Sequence, residues 1–175
     1  MSDSIRHALQ TFFSKAQDSQ QAQVYYEADW LSPCIQNKQS DDSCQWKAIE
    51  RTDDSQLKNI EQALQISLNP DVVDFYTAFY APSLTAEFES NQLVLLQVWN
   101  DDDFKILQEN IIGHLLMKKK LKQQATVFIA STDDDEYLIS VVNQTGAVML
   151  ERVGQEPCRK LADSLAEFIS ALSIK

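Results

Sequence analysis

From Leu84 to Trp99, and again from Thr126 to Val153, the chain runs in short strand-like stretches that break on brief polar turns. Leu84, Ala86 and Phe88 alternate with Thr85 and Glu87, Ser90-Asn91-Gln92 turns, and Leu93 to Trp99 returns. Later, Thr126 to Ser131, Tyr137 to Val142 and Ala147 to Val153 are separated by Asp133-Asp134-Asp135 and Asn143-Gln144-Thr145-Gly146. A parallel crossover needs a dozen or more residues, so turns this short demand antiparallel pairing.

Helical periodicity surrounds these strands. Ser4 caps a helix to about Lys15 that carries Ile5, Leu9, Phe12 and Phe13. Leu57, Ile60, Leu64 and Leu68 follow Asp54-Ser55 at three-to-four spacing. Asn69-Pro70-Asp71 starts a further helix, expected to run to Ala81-Pro82, and a long helix spans about Asp101 to Lys122. After Gly154 and Pro157 a last helix is expected to carry Leu161, Leu165, Phe168, Ile169 and Leu172. A weak alternation predicts a strand over Gln45 to Arg51, and Gln17 to Gln23 is expected to be a loop. The expected fold is α+β: one domain over residues 1–175, a mainly antiparallel sheet with helices packed on it.

With 15 basic and 26 acidic residues the net charge is -11. Such a surface is repelled by nucleic acid and anionic lipid and is attracted to basic proteins or cations. Neither nucleic-acid binding nor direct lipid insertion is expected. No stretch reaches the roughly 20 apolar residues that span a bilayer, and the N-terminal stretch lacks the pattern of a signal peptide. Cys34, Cys44 and Cys158 are odd in number and fit no zinc spacing, which points to a reducing cytosol.

Gly113, Gly146 and Gly154 are too far apart for a phosphate-cradling loop. No G-x-S-x-G elbow or H-E-x-x-H pair occurs. Cys34 reads as a small buried apolar thiol, and His7 as solvated. His114 reads as an edge residue hydrogen-bonded to a neighbouring strand or loop. Gly113 interrupts a helix at a cost of about 1 kcal/mol relative to Ala, which close packing against another element would offset. No cofactor or metal ligand set is expected.

The densest chemistry lies between Gln97 and Leu115. Asn100 is a suitable N-cap, and Asp101, Asp102 and Asp103 meet the positive end of the helix dipole. Lys118, Lys119, Lys120 and Lys122 complement its negative end. Capping explains one or two aspartates better than three, because like charges repel. Asp133 to Glu136 reads as a charged hairpin turn.

This block carries a resemblance. Leu95-Leu96-Gln97-x-Trp99, Asp102-Asp103-Phe104 and Gln108-Glu109-Asn110-x-Ile112-Gly113-His114-Leu115 closely resemble the Syd family of bacterial SecY-interacting proteins. Ser32-Pro33-Cys34-Ile35, Phe75-Tyr76-Thr77, Val127-Phe128-Ile129-Ala130 and Leu165-Ala166-Glu167-Phe168 also fit. The resemblance departs at residues 17–30, rich in Gln, and at 36–56. It implies a fold similar to the α+β superfamily that includes immunity proteins. It also implies a non-enzymatic, cytoplasmic protein held on the inner face of the inner membrane by SecY, whose basic loops enter an acidic groove. Asp102, Asp103, Glu109 and Glu61 match the motif, Asp101 stands where another acid is expected, and Glu87 and Trp99 are further candidates. Two other functions are weighed against SecY binding: an immunity-type protein that neutralises a basic toxin enzyme, and a metal-dependent hydrolase built on the aspartates.

Overall fold

The apolar stripe Ile5, Leu9, Phe12 and Ala16 makes the first helix a wall of the core. Helix α1 (Ser2–Gln17) buries all four and lies against two later helices. Each large apolar side chain so buried contributes about 1.5–3 kcal/mol. The computed structural model describes residues 2–52 and 57–174, so the helix start expected at Asp54-Ser55 lies outside the described residues.

A 3₁₀ turn (Gln20–Ala22) leads into a small antiparallel sheet of order β1-β3-β2: β1 (Gln23–Tyr25), β2 (Ile35–Lys38) and β3 (Ser43–Trp46). Strand β4 (Ile49–Glu50) pairs with β5 (Phe79–Tyr80). The single strand expected over Gln45 to Arg51 is thus two strands in different sheets. Between them sit α2 (Lys58–Leu64) and α3 (Pro70–Thr77). Both helices are shorter than their apolar spacing predicts. Gln65 takes a left-handed φ of 53° and stops α2 before Leu68, and α3 gives way to β5 before Ala81.

The main sheet has six antiparallel strands in the order β11-β10-β9-β8-β7-β6. They are β6 (Leu84–Phe88), β7 (Asn91–Leu95), β8 (Thr126–Thr132), β9 (Tyr137–Val142), β10 (Val148–Arg152) and β11 (Pro157–Ala162). The hairpin and the later meander therefore join into one sheet through the β7–β8 pairing of Leu93 with Thr132 and Leu95 with Ala130. Two expectations are corrected. Residues 157–162 form an edge strand, and the last helix, α5 (Leu165–Ser170), begins only after the Ser164 cap. The returning strand stops at Leu95, because Gln97 leaves the sheet to bond Ser83 Oγ and the Phe75 carbonyl.

Ile139, Val141 and Val148 share one face of the sheet by strand alternation. They enter the core with α1 and with Leu165, Phe168 and Ile169 of α5. The other face carries Phe128, Ser140 and Glu151 and receives the long helix α4 (Asp101–Lys120). Phe104, Ile111, Leu115 and Lys118 form its buried stripe. Gly113 lies on the exposed side of α4, with nothing within 4 Å of where a Cβ would stand. The close packing expected there is absent.

Candidate functional site

Helix α4 begins at a corner held by reciprocal hydrogen bonds. Asn100 Oδ1 accepts the Asp103 amide at 2.8 Å, and Asp103 Oδ2 accepts the Trp99 amide at 2.8 Å. This capping satisfies backbone donors that no helical carbonyl can reach. Burial raises the Asp103 carboxyl from its ordinary value, and the Trp99 hydrogen bond opposes that shift. Asp101 accepts the Tyr80 hydroxyl, and Asp102 stands in solvent, 3.8 Å from Lys105. The three carboxylates thus serve three different partners and do not converge. Among the described residues no group of three His, Cys, Asp or Glu side chains could hold a metal ion.

Behind this corner lies Arg51, only 4% exposed, its guanidinium 4.5 Å from the Tyr80 ring and 4.4 Å from the Phe104 ring. It also donates to the Tyr76 carbonyl at 3.3 Å. Stacked between two rings, it stiffens Tyr80 and the first turn of α4.

The Gln-rich segment supplies the other half of the site. Trp99 Nε1 donates to the Trp30 carbonyl at 3.1 Å, Asn100 Nδ2 to the Leu31 carbonyl at 2.9 Å, and Ser32 Oγ to the Trp99 carbonyl at 2.6 Å. Three bonds therefore lace residues 30–32 to the head of α4. Upstream, Gln21 exchanges two side-chain hydrogen bonds with the Thr85 backbone at 2.7 and 2.8 Å. The segment is thereby held beside β6.

Two adjoining hollows result, sharing Trp30 as a wall. One, of about 460 Å³, runs between β1 and Pro82-Ser83-Leu84 and is walled by Tyr25, Glu27, Trp30 and Trp99. The other, of about 370 Å³, is bounded by Asp29, Leu31, Asn100, Asp101 and Asp102. Glu27, Asp29, Asp101 and Asp102 are all exposed, and neither lining includes a Lys, Arg or His. Tyr25 at 68% and Leu31 at 57% are the two most exposed large apolar residues described. Acids over aromatic faces suit a cationic side chain, which gains from carboxylates and ring quadrupoles together.

Of the residues expected from sequence, Asp101, Asp102 and Trp99 meet here, with Asp103 bracing them from below. The others stand apart. Glu109 is exposed further along α4. Glu61 accepts the Leu68 amide at 2.8 Å and so shapes the bend between α2 and α3. Glu87 pairs through its backbone with Ser173. Glu27, Asp29 and Trp30 escape sequence reasoning because their approach to α4 is purely long-range. The only local signal is the aromatic cluster Tyr25, Tyr26 and Trp30 in a polar segment.

His114 behaves as expected, meeting Thr126 Oγ1 of β8 at 3.0 Å. Cys34 is fully buried, and burial pushes its thiol up to about 11, leaving it protonated at neutral pH. No described helix is long and apolar enough to cross a membrane.

The geometry defines an acidic α+β protein with adjoining surface hollows lined by aromatic side chains and carboxylates. A family model described as "Syd protein (SUKH-2)" matches residues 2–173. Similar proteins include Protein Syd of Pseudoalteromonas atlantica, 38% identical over 98% of this chain and 97% of that protein. Protein Syd of Psychromonas ingrahamii is 41% identical over 86% and 82% of the two chains. Protein Syd of Colwellia psychrerythraea is 42% identical over 87% and 80%. The chain belongs to the Syd family. The names of these relatives denote no enzyme activity.

Proposed function

We propose that this protein is a non-enzymatic adaptor or quality-control factor that binds basic cytoplasmic loops of the SecY channel. The observation that carries this reading is the pair of hollows between Trp30 and Trp99, rimmed by Glu27, Asp29, Asp101 and Asp102, without a base in either lining. Cytoplasmic loops of membrane proteins are rich in Lys and Arg. A surface of this charge steers toward them and away from the anionic lipid around them. Membrane attachment then depends on the partner. Asp101, Asp102 and Trp99 contact the loop, Asp103 positions them, and Glu109, Glu61 and Glu87 extend the acidic field without entering the hollows.

The test is retention of the protein by SecY in lipid nanodiscs. Retention falls as salt shortens the Debye length from about 10 Å at 0.1 M to about 3 Å at 1 M. Asp29→Lys with Asp102→Lys abolishes retention at low salt and leaves the fold intact, since both side chains are exposed. Salt-independent retention, or a double variant that binds as well as the parent, would overturn the proposal.

A further inference from the structure

The groove has a wall that its charge leaves unexplained. Strand β1 is an outer strand of its sheet, paired on one side with β3. The Tyr26 amide donates to the Asp42 carbonyl at 2.9 Å, so Tyr26 and Asp42 form a hydrogen-bonded antiparallel pair. The register Val24 to Cys44 falls two residues away and is hydrogen-bonded by the same alternation. Gln23 and Tyr25 therefore turn their N–H and C=O groups away from β3. Both residues line the groove.

The opposite wall is sealed. Gln21 occupies both backbone groups of Thr85, and Glu87 exchanges amide and carbonyl bonds with Ser173 at 2.8 and 3.0 Å. Edge strands left open invite another strand, and natural proteins usually block them as β6 is blocked here. Among the described residues no side chain or strand covers β1 at Gln23 and Tyr25 in this way.

We infer that the groove's partner binds as an extended segment, adding a strand to the outer edge of β1 at Gln23 and Tyr25, with arginine or lysine at alternate positions. This rests on the reading that the groove is the partner site. Backbone bonding to β1 supplies part of the affinity, and alternate side chains supply selectivity. In an added strand, every second side chain points to one face, so one set of cations can reach Trp30, Trp99, Glu27 and Asp29 while the other stays in solvent. The exposed Tyr25 ring flanks the segment.

The probe is a fluorescent ten-residue peptide alternating arginine with threonine, titrated into the full-length protein by anisotropy. Two further peptides carry N-methyl groups on every odd or every even residue and so keep the charge. One methylated peptide binds at least about 10-fold more weakly and the other binds like the parent, because only one set of amides faces β1. Equal binding of all three, equal weakening of both methylated peptides, or no binding of the parent at low salt would overturn the inference. If the parent peptide is still lost on Asp29→Lys with Asp102→Lys while all three peptides bind alike, the charge reading stands and the added strand alone fails. Tyr25→Pro gives a check from the protein side, since proline is tolerated where an edge amide faces outward. It weakens the parent peptide beyond Tyr25→Ala, and equality of the two variants counts against the added strand.

Discussion

Lys118 Nζ lies 2.6 Å from Glu151 Oε1, and both residues are buried, so a buried ion pair ties α4 to β10. Further hydrogen bonds hold both partners. Lys118 also donates to the Gln155 carbonyl at 2.7 Å, and Glu151 Oε2 accepts Thr126 Oγ1 at 2.8 Å and Ser140 Oγ at 2.6 Å. A pair satisfied on this scale holds one register of helix on sheet. Taken alone it is not a large source of stability, because desolvation offsets much of the attraction.

Removing one partner exposes that asymmetry. Lys118→Met leaves the Glu151 charge buried without its cation and destabilises the protein by about 3–5 kcal/mol in urea titration. Lys118→Met with Glu151→Leu regains part of the loss, since no charge is left buried and what remains short is the Thr126 and Ser140 hydroxyls of an acceptor and the Gln155 carbonyl of a donor. A double variant less stable than the single one would contradict this account.

His114 sits at the edge of the same network, 3.9 Å from Glu151 Oε1 and edge-on to Phe128. Thr126 commits its hydroxyl hydrogen to Glu151, so His114 Nε2 carries a hydrogen and donates to Thr126. Burial lowers the His114 pKa, Glu151 opposes that shift and Lys118 reinforces it. The unfolded chain, with an imidazole near 6.5, then binds a proton that the folded chain resists. The contribution of His114 is complete above pH 6.5 and is lost as pH falls below it. His114→Gln flattens the slope of stability against pH below about 6.5. An unchanged slope would show that His114 titrates alike in both states.

Gly113 offers a gain. Its site is helical, exposed and open, so Gly113→Ala adds no clash and removes backbone freedom from the unfolded chain. The expected stabilisation is about 0.5–1 kcal/mol by urea titration. Destabilisation would mean that the helix is constrained there in a way the open site does not reveal.

What the sequence made legible follows the range of the forces involved. Alternation and turn residues are local, so β6, β8 and β9 begin at the expected Leu84, Thr126 and Tyr137, and β10 begins at Val148, one residue after the expected Ala147. Periodicity misleads where two elements meet in phase. Leu161, Leu165, Phe168 and Leu172 read as one helix, yet Leu161 belongs to β11. The boundary signal was Ser164-x-x-Glu167, whose Ser side chain caps the Glu167 amide at 3.2 Å. Gln65 ends α2 in a left-handed conformation without the glycine that would mark it. Lys118 stands in a lysine run that suits a helix C-terminus, and nothing nearby announces Glu151. In the candidate site the same limit applies: Asp101, Asp102 and Trp99 are visible as a motif, whereas Trp30 and Asp29 reach them across nearly seventy positions of chain.

That lacing can be cut without removing the helix cap. Asn100 uses Oδ1 to cap Asp103 and Nδ2 to hold the Leu31 carbonyl. Asn100→Asp keeps an acceptor for the cap, since Asp is as good an N-cap as Asn. It loses the donor, and it sets a carboxylate against the Leu31 carbonyl oxygen. An unmatched pair of acceptors in a half-buried contact costs about 1–3 kcal/mol. The loss falls locally: amide hydrogen exchange quickens over residues 28–34 while the amides of α4 keep their protection. Both hollows share Trp30, so the groove loosens with that segment and the basic peptide binds more weakly despite the added negative charge. Tighter binding would show that charge alone governs recognition, and faster exchange throughout α4 would show that the cap had failed instead.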